Sequence, residues 1–261
     1  ISSFFIKPVS RKNEVVSFVE KGLKDLSISR NSFQWGINVP NSKEHIIYVW
    51  IDALTNYLTS LEYPNEKNKF FSFWNNSIHV IGKDILKFHA IYWPAILMAA
   101  ELKIPKHIFA HGWWTNEGEK ISKSLGNVID PYEVISHYGL DQIRFFLFRE
   151  VPFGNDGDFS RESIAKRVNA DLSNNFGNLI QRICSFIKKN CNSIVENNFS
   201  LNSEDDRLLQ FSIDKINNYR SYMERQEINK ALKEIFELLT KTNVYVDQQA
   251  PWILNKSNIA R

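Results

Sequence analysis

The sequence predicts an α/β fold in which a parallel sheet flanked by helices gives way to an all-α helix bundle, and two observations carry that reading. Between Ile46 and about Gly112, short apolar runs alternate with helical patterns: HIIYVWI, DALTNYLTSLEY, SIHVIG, KDILKFHAIYWPAILMAAEL and KHIFAHG. That strand–helix alternation is the signature of a parallel sheet covered by its crossover helices. From Ser160 onward the apolar period is helical to the end of the chain, interrupted by Asn- and Ser-rich residues at about 192–203.

Each element follows from local chemistry. HIIYVWI, SIHVIG and KHIFAHG read as strands, and the two stretches between them as helices. In parallel sheets ligands collect beyond the carboxyl ends of the strands, which directs attention to Trp50, Asp52, Gly82, Asp84, His111 and Gly112. Asp130-Pro131-Tyr132-Glu133 combines a capping carboxylate with proline at the first helical position and starts a helix that Gly139 closes. Asp141 opens the next helix, and Pro152 stops it.

Composition excludes several classes. A chain of 261 residues, 43% hydrophobic and 23% charged, can bury real cores and is neither disordered nor collagenous. No apolar run approaches the ~18 residues of a membrane span, and ISSFFIKPVSRKNE lacks the apolar centre and cleavage site of a signal peptide. A cytoplasmic protein with no membrane partner is expected. The net charge of +3 permits a nucleic-acid partner without demanding one. Cys184 and Cys191 fall seven residues apart in one predicted helix, roughly 10 Å of rise, too far to bridge. The six histidines and two cysteines show no ligand spacing, so no metal site is expected. The chain opens at Ile1 in a polar stretch, which reads as the interior of a longer protein.

The stretch GEKISKSLGN, residues 118–127, is the most informative. It is not a phosphate-binding P-loop, because its lysines precede the second glycine. A glycine-bounded loop presenting Lys120 and Lys123 can place two ammonium groups on one polyphosphate, with hydrogen bonds from Ser122 and Ser124. That suits a departing pyrophosphate; a solvated surface loop is the alternative. Ile85, His89 and Trp93 recur every four residues on one helix face, and Trp50, Ala53 and Tyr57 come from the preceding strand end and helix. Such an aromatic stripe is either core packing or the wall of a pocket. In NADLSNNFGNLIQRICSFI, Leu172, Phe176, Leu179 and Ile183 form an apolar face, and Asp171, Asn175, Asn178 and Arg182 a polar strip. Solvation is the simple reading of that strip.

KISKS flanked by GE and LGN resembles the KMSKS signature of class I aminoacyl-tRNA synthetases. VWIDALTNYLTSL, HVIGKDILKFHAIYWPAILMAA, HGWWTNEGEKISKSLGNVIDP, REVPFGNDGDFS, NADLSNNFGNLIQR and QQAPWILNK are similar to the methionyl-tRNA synthetases, in their order and roughly their spacing. Ile121 stands where methionine is usual, a volume-conserving exchange. The HIGH motif and the amino-terminal half-domain, with any zinc knuckle, are absent from these residues. The resemblance implies three segments: residues 1–117 as the carboxyl-terminal half of a Rossmann-type catalytic domain, 118–160 as the KMSKS loop and stem-contact segment, and 161–261 as a helical anticodon-binding domain, expected to be incomplete.

The function so implied is methionine–tRNA ligation: activation of methionine by ATP, taken with Mg²⁺ as a substrate complex, then transfer to tRNA(Met). Lys123 would stabilise charge on the departing pyrophosphate, with Lys120 helping to close the loop and Ser122 and Ser124 beside them. Asp84 would accept from a ribose hydroxyl, although its position also suits a helix N-cap, and Gly82 would let the nucleotide approach. Trp50, Ala53, Leu54, Tyr57, Ile85, His89 and Trp93 would wall the methionine side chain, since sulfur–aromatic contacts favour a thioether. Leu54 departs from the proline of some members. Asn178 and Arg182 would read anticodon bases, with Trp252 as a stacking platform. These residues alone are expected to form no adenylate, because the HIGH half is missing. A class I synthetase for another apolar amino acid, or a non-catalytic tRNA-binding fragment, are the competing readings.

Overall fold

The structure, a computed structural model, describes residues 5–65, 67–195 and 200–257. The Asn- and Ser-rich break therefore lies partly outside the described residues, as do the outer ends of the first and last segments. The chain divides into two compact units, Ile1–Trp113 and Trp114–Arg261.

The first unit contains, in order, β1 (Ile6–Lys7), α1 (Val9–Glu20), β2 (Ser29–Arg30), β3 (Ile46–Ile47), α2 (Val49–Thr59), α3 (Lys67–Trp74), β4 (Ile78–Gly82), a 3₁₀ turn (Lys83–Ile85), a π-helical turn (Phe88–Tyr92), α4 (Trp93–Ala99) and β5 (His107–His111). Its sheet has the order β1-β5-β4 and is wholly parallel, with Ile6 opposite Ile108 and Gly82 opposite His111. One core forms around Phe5, Ile6, Val15, Ile81, Leu86 and Ile108. A second gathers Leu54, Phe70, Trp74, Trp93 and Leu97.

Two sequence expectations are corrected here. HIIYVWI is not a strand of the parallel sheet: only Ile46–Ile47 is extended, paired antiparallel to β2, and Val49 already begins α2. A seven-residue apolar run cannot by itself separate strand from helix, and Trp50, Leu54, Tyr57, Leu58 and Leu61 keep a helical period that packs into the second core. Trp50 therefore belongs to a helix and not to a strand end. The third sheet position is filled by Ile6–Lys7, which is too short to register as an apolar run. The long helix expected at residues 83–102 is also segmented. Pro94 has no N–H to give the Ala90 carbonyl, and the wider π-helical turn just before it absorbs the mismatch.

The second unit begins with β6 (Trp114–Asn116), β7 (Glu119–Lys120) and a 3₁₀ turn (Lys123–Leu125). It continues through α5 (Pro131–Tyr138), α6 (Leu140–Glu150), β8 (Gly157–Phe159) and α7 (Arg161–Arg167) to a π-helical stretch (Val168–Gly177), α8 (Asn178–Asn190), α9 (Ser203–Glu224), α10 (Ile228–Gln249) and α11 (Pro251–Ser257). A small sheet, β7-β6-β8, packs on a core of Ile143, Phe146, Phe159 and Ile164. The Asp130 side chain caps α5 by accepting from the Tyr132 amide at 2.8 Å, and Gly139 closes that helix, as the sequence predicts. α9 starts at a capping box, in which Asn202 and Asp205 satisfy each other's amides. The ion pair of Lys215 with Glu234 at 3.0 Å, less than 15% exposed on either side, ties α9 to α10.

The polar strip expected on residues 171–182 does not form. Asp171 is held by Arg149 and Arg167, both at 3.3 Å, and Asn175 donates to Thr240 Oγ1 at 2.9 Å. Phe176, assigned to the apolar face, is 45% exposed. The cause is the π-helical stretch, whose i→i+5 turns break the 3.6-residue period on which both faces were drawn.

Candidate functional site

In the second unit the loop predicted from GEKISKSLGN is built on a hairpin. Glu117 and Gly118, the two central turn residues, have φ of 50° and 82°, the conformation of a tight type I′ connection between β6 and β7. Asp158 on β8 anchors it: Oδ1 accepts from the Gly118 amide at 2.7 Å and from Thr115 Oγ1 at 2.5 Å. Glu117 Oε1 accepts from the amide of Arg161, the first residue of α7, at 2.9 Å. After β7 the chain makes its 3₁₀ turn, and Gly126 exits at φ 66°, a left-handed conformation that costs glycine little. Ser122 Oγ and Ser124 Oγ lie 2.7 Å apart. Lys120 and Lys123 are exposed, and neither makes an ion pair among the described residues. The arrangement is a fixed frame carrying two ammonium groups.

In the first unit the carboxyl ends of β4 and β5 bring together Gly82, Lys83, Asp84, His111 and Trp113. Asp84 lies in the 3₁₀ turn and caps no helix; its Oδ1 accepts from Trp113 Nε1 at 3.4 Å. Lys83 Nζ sits 4.3 Å from the centroid of the Trp113 ring. A Cβ on Gly82 would stand 2.5 Å from Asp84 Oδ1, so the absence of a side chain at Gly82 makes room for the Asp84 carboxylate itself.

The aromatic residues of the same unit converge. Trp50 stacks on Phe88 with ring centroids 4.0 Å apart, and both rings neighbour His89 or its turn. His89 Nδ1 lies 3.1 Å from the Ile85 carbonyl and must donate to it, which leaves Nε2, 2.9 Å from Tyr57 Oη, to accept from the phenol. Burial holds the His89 pKa below its usual value against that carbonyl, and burial raises the Tyr57 phenol. His89 is thus a neutral imidazole with a defined tautomer. Trp93 and Leu54 are fully buried in the second core, Ala53 is exposed, and the Ile85 side chain packs on the other core.

His79 on β4 is a neighbour of this cluster, its ring 4.1 Å from that of Tyr57. It is 4% exposed and its Nε2 has no partner. Burial, reinforced by His89, pulls its pKa down to about 4. The folded value lies below the unfolded one, so the unfolded chain takes the proton first as the pH drops. The stability that a neutral His79 provides is complete above about pH 6.5 and is lost as pH falls toward 4. Equilibrium unfolding is expected to lose about 2 kcal/mol between pH 7 and pH 5, and His79→Phe to flatten that part of the profile. Below it, carboxylates add their own loss: burial opposes ionisation of Glu234, but Lys215 and Asn218 hold its carboxyl below the usual range. A His79→Phe profile running parallel to that of the parent between pH 7 and 5 would assign the loss to other groups.

In the bundle, Asn178 opens α8 and is exposed. Arg182, one turn later, pairs with Asp247, and its guanidinium lies 5.6 Å from the centroid of the Trp252 ring, which is 45% exposed. The structure therefore brings Arg182 and Trp252 together.

Three residues escape the sequence reading. Phe88 adjoins His89 and so lies off the four-residue spacing used to draw the pocket; only the π-helical turn brings it to Trp50. Trp113 stands beyond the end of a strand, where no periodicity applies. Asn127 was visible beside its glycine, but nothing in its residue type alone says that its side chain closes the loop.

Comparison with known proteins follows this geometry. The family described as tRNA synthetases class I (M) matches residues 6–184. A methionine–tRNA ligase of Rickettsia felis is 51% identical over 259 residues, covering 97% of this chain and 50% of its own. One from Brucella suis biovar 1 is 51% identical over 257 residues, covering 98% of this chain and 50% of its own. Among solved structures, Mycobacterium tuberculosis methionyl-tRNA synthetase in complex with methionyl-adenylate superposes with a TM-score of 0.92 at 47% identity, over 97% of this chain and 50% of that one. The chain spans about half the length of the relatives it matches.

Proposed function

The chain belongs to the tRNA synthetases class I (M) family, and from that premise we propose that it serves the ATP-dependent ligation of methionine to tRNA(Met). The observation that carries the reading is the framed loop, with Lys120 and Lys123 exposed and without acidic partners. It is supported by relatives named methionine–tRNA ligase and by a structural neighbour that holds methionyl-adenylate. Methionine is activated when its carboxylate oxygen forms a bond to the α-phosphorus of ATP as the bond to pyrophosphate breaks. Negative charge accumulates on the departing group, so positioned cations are the chief contribution a protein can make. Lys123 meets that charge, Lys120 assists, and Ser122 and Ser124 donate hydrogen bonds beside them.

Asp84 accepts from the ribose of the nucleotide, beside Gly82. Trp50, Tyr57, His89 and Trp93, with Ala53, Leu54 and Ile85, belong to the methionine pocket, to which the structure adds Phe88. A neutral His89 suits an uncharged thioether better than an imidazolium would. Asn178, Arg182 and Trp252 form the anticodon surface. Magnesium enters with ATP as part of the substrate; among the described residues no group of three or more His, Cys, Asp or Glu side chains could hold a metal ion. No helix of the described residues is long and apolar enough to cross a membrane, and we place the reaction in the cytoplasm with translation.

Amino-acid-dependent ATP–pyrophosphate exchange in the full-length protein tests the reading. Methionine is expected to be preferred over leucine, isoleucine and valine by at least about 10–100-fold in kcat/KM. A preference for another apolar amino acid would reassign the substrate, and no exchange with any of them would reduce the chain to a tRNA-binding role.

A further inference from the structure

We propose that Asn127 is a positioning residue that sets the working conformation of the lysine loop; the inference rests on the pyrophosphate role given to that loop above. The Asn127 side chain bridges the loop's incoming arm. Its Nδ2 donates to the Lys120 carbonyl at 3.0 Å, and its Oδ1 accepts from the Ser122 amide at 2.9 Å. The Asn127 backbone is itself fixed, because its carbonyl accepts from Asn116 Nδ2 on β6 at 2.8 Å. One planar amide thus ties the end of the segment 120–127 to its beginning, and a second amide ties that knot to the sheet.

Both lysines depend on this closure. Lys120 carries the carbonyl that Asn127 holds. Lys123 follows Ser122, whose amide Asn127 holds and whose carbonyl starts the 3₁₀ turn by accepting from the Leu125 amide at 3.2 Å. The turn continues with the Gly126 amide donating to the Lys123 carbonyl at 3.2 Å. Backbone direction at 120 and 122 therefore decides where the two ammonium stems leave the frame. The bridge needs a donor and an acceptor on one short planar group. Asparagine supplies both. Aspartate supplies only acceptors and would set a carboxylate against the Lys120 carbonyl; leucine, of similar shape, supplies neither.

The test is a double-mutant cycle on ATP–pyrophosphate exchange in the full-length enzyme, with Asn127→Asp, Asn127→Leu and Lys123→Ala alone and in pairs. Each Asn127 variant is expected to lower kcat by about 10–100-fold, with the methionine KM within about twofold of the parent. In the Lys123→Ala background the further loss is expected to shrink below about threefold, because there is no longer a Lys123 to misplace. Asn116→Ala, which removes only the outer tie, is expected to show a smaller loss with the same dependence on Lys123, and it carries the cycle if the Asn127 variants do not fold. Full additivity with Lys123→Ala would make Asn127 a packing residue and overturn the proposal, as would an unchanged kcat in the Asn127 variants. If Lys123→Ala itself left the rate intact, the pyrophosphate role of the loop would fall first and this inference with it.

Discussion

Replacing Lys123 by alanine in the full-length enzyme is expected to slow methionyl-adenylate formation by ~10²–10³ while changing methionine affinity little. The magnitude follows from where the charge appears. An ammonium placed on a departing pyrophosphate interacts most strongly when the bond to the α-phosphorus is breaking, so its removal acts on the transition state more than on bound ATP. Lys123 is exposed and makes no ion pair among the described residues, so its loss should leave the folded state nearly untouched. Single-turnover measurement of adenylate formation separates the outcomes. Equal losses in ATP binding and in rate would mean that Lys123 merely holds ATP, and an unchanged rate would return the loop to the solvated reading.

The second large effect is expected in the bundle, on tRNA charging alone. Trp252→Ala removes a half-exposed aromatic platform whose stacking contributes about 1–3 kcal/mol per base, roughly 5–150-fold in charging efficiency. Arg182→Ala is expected to act in the same direction, because its guanidinium lies beside that ring. The ion pair it makes with Asp247 is exposed on the acid side, so little stability should be lost with it. Neither residue is assigned to ATP or methionine, and exchange activity should stay near the parent value. The discriminating comparison uses a tRNA with an altered anticodon. A reading residue loses its effect there, whereas a packing residue loses equally on both tRNAs, and that result would remove Trp252 and Arg182 from the anticodon surface.

The sequence was legible where residue type and period coincide with chemistry. SIHVIG and KHIFAHG alternate and end in glycine or histidine, and they are β4 and β5. Asp130-Pro131 and Gly139 bound their helix because capping is a property of single residues. The lysine loop was legible as a glycine-bounded cationic stretch, whereas its frame was not: Asp158 and Glu117 act across 40 and 44 residues of chain, and such pairings leave no local pattern. HIIYVWI misled because its apolar run was read as strand, when the helical spacing that starts at Trp50 already fits a helix. His79 carried no sign of its burial, since a histidine inside SIHVIG reads the same facing solvent or facing Tyr57.

The π-helical stretch 168–177 has a consequence for insertion and deletion. An i→i+5 turn accommodates one residue more than an α-turn, so this stretch can shed a residue and close up as ordinary helix without a gap in the backbone ladder. Everything beyond it would then be rotated by about 100° around the helix axis. Asn178 and Arg182 would leave the azimuth they now occupy, and Arg182 would part from Asp247 and Trp252. Length changes here are therefore not the neutral events they are in surface loops: the residue count upstream of α8 aims its side chains, and the orientation of that surface is written ten residues before the residues that form it.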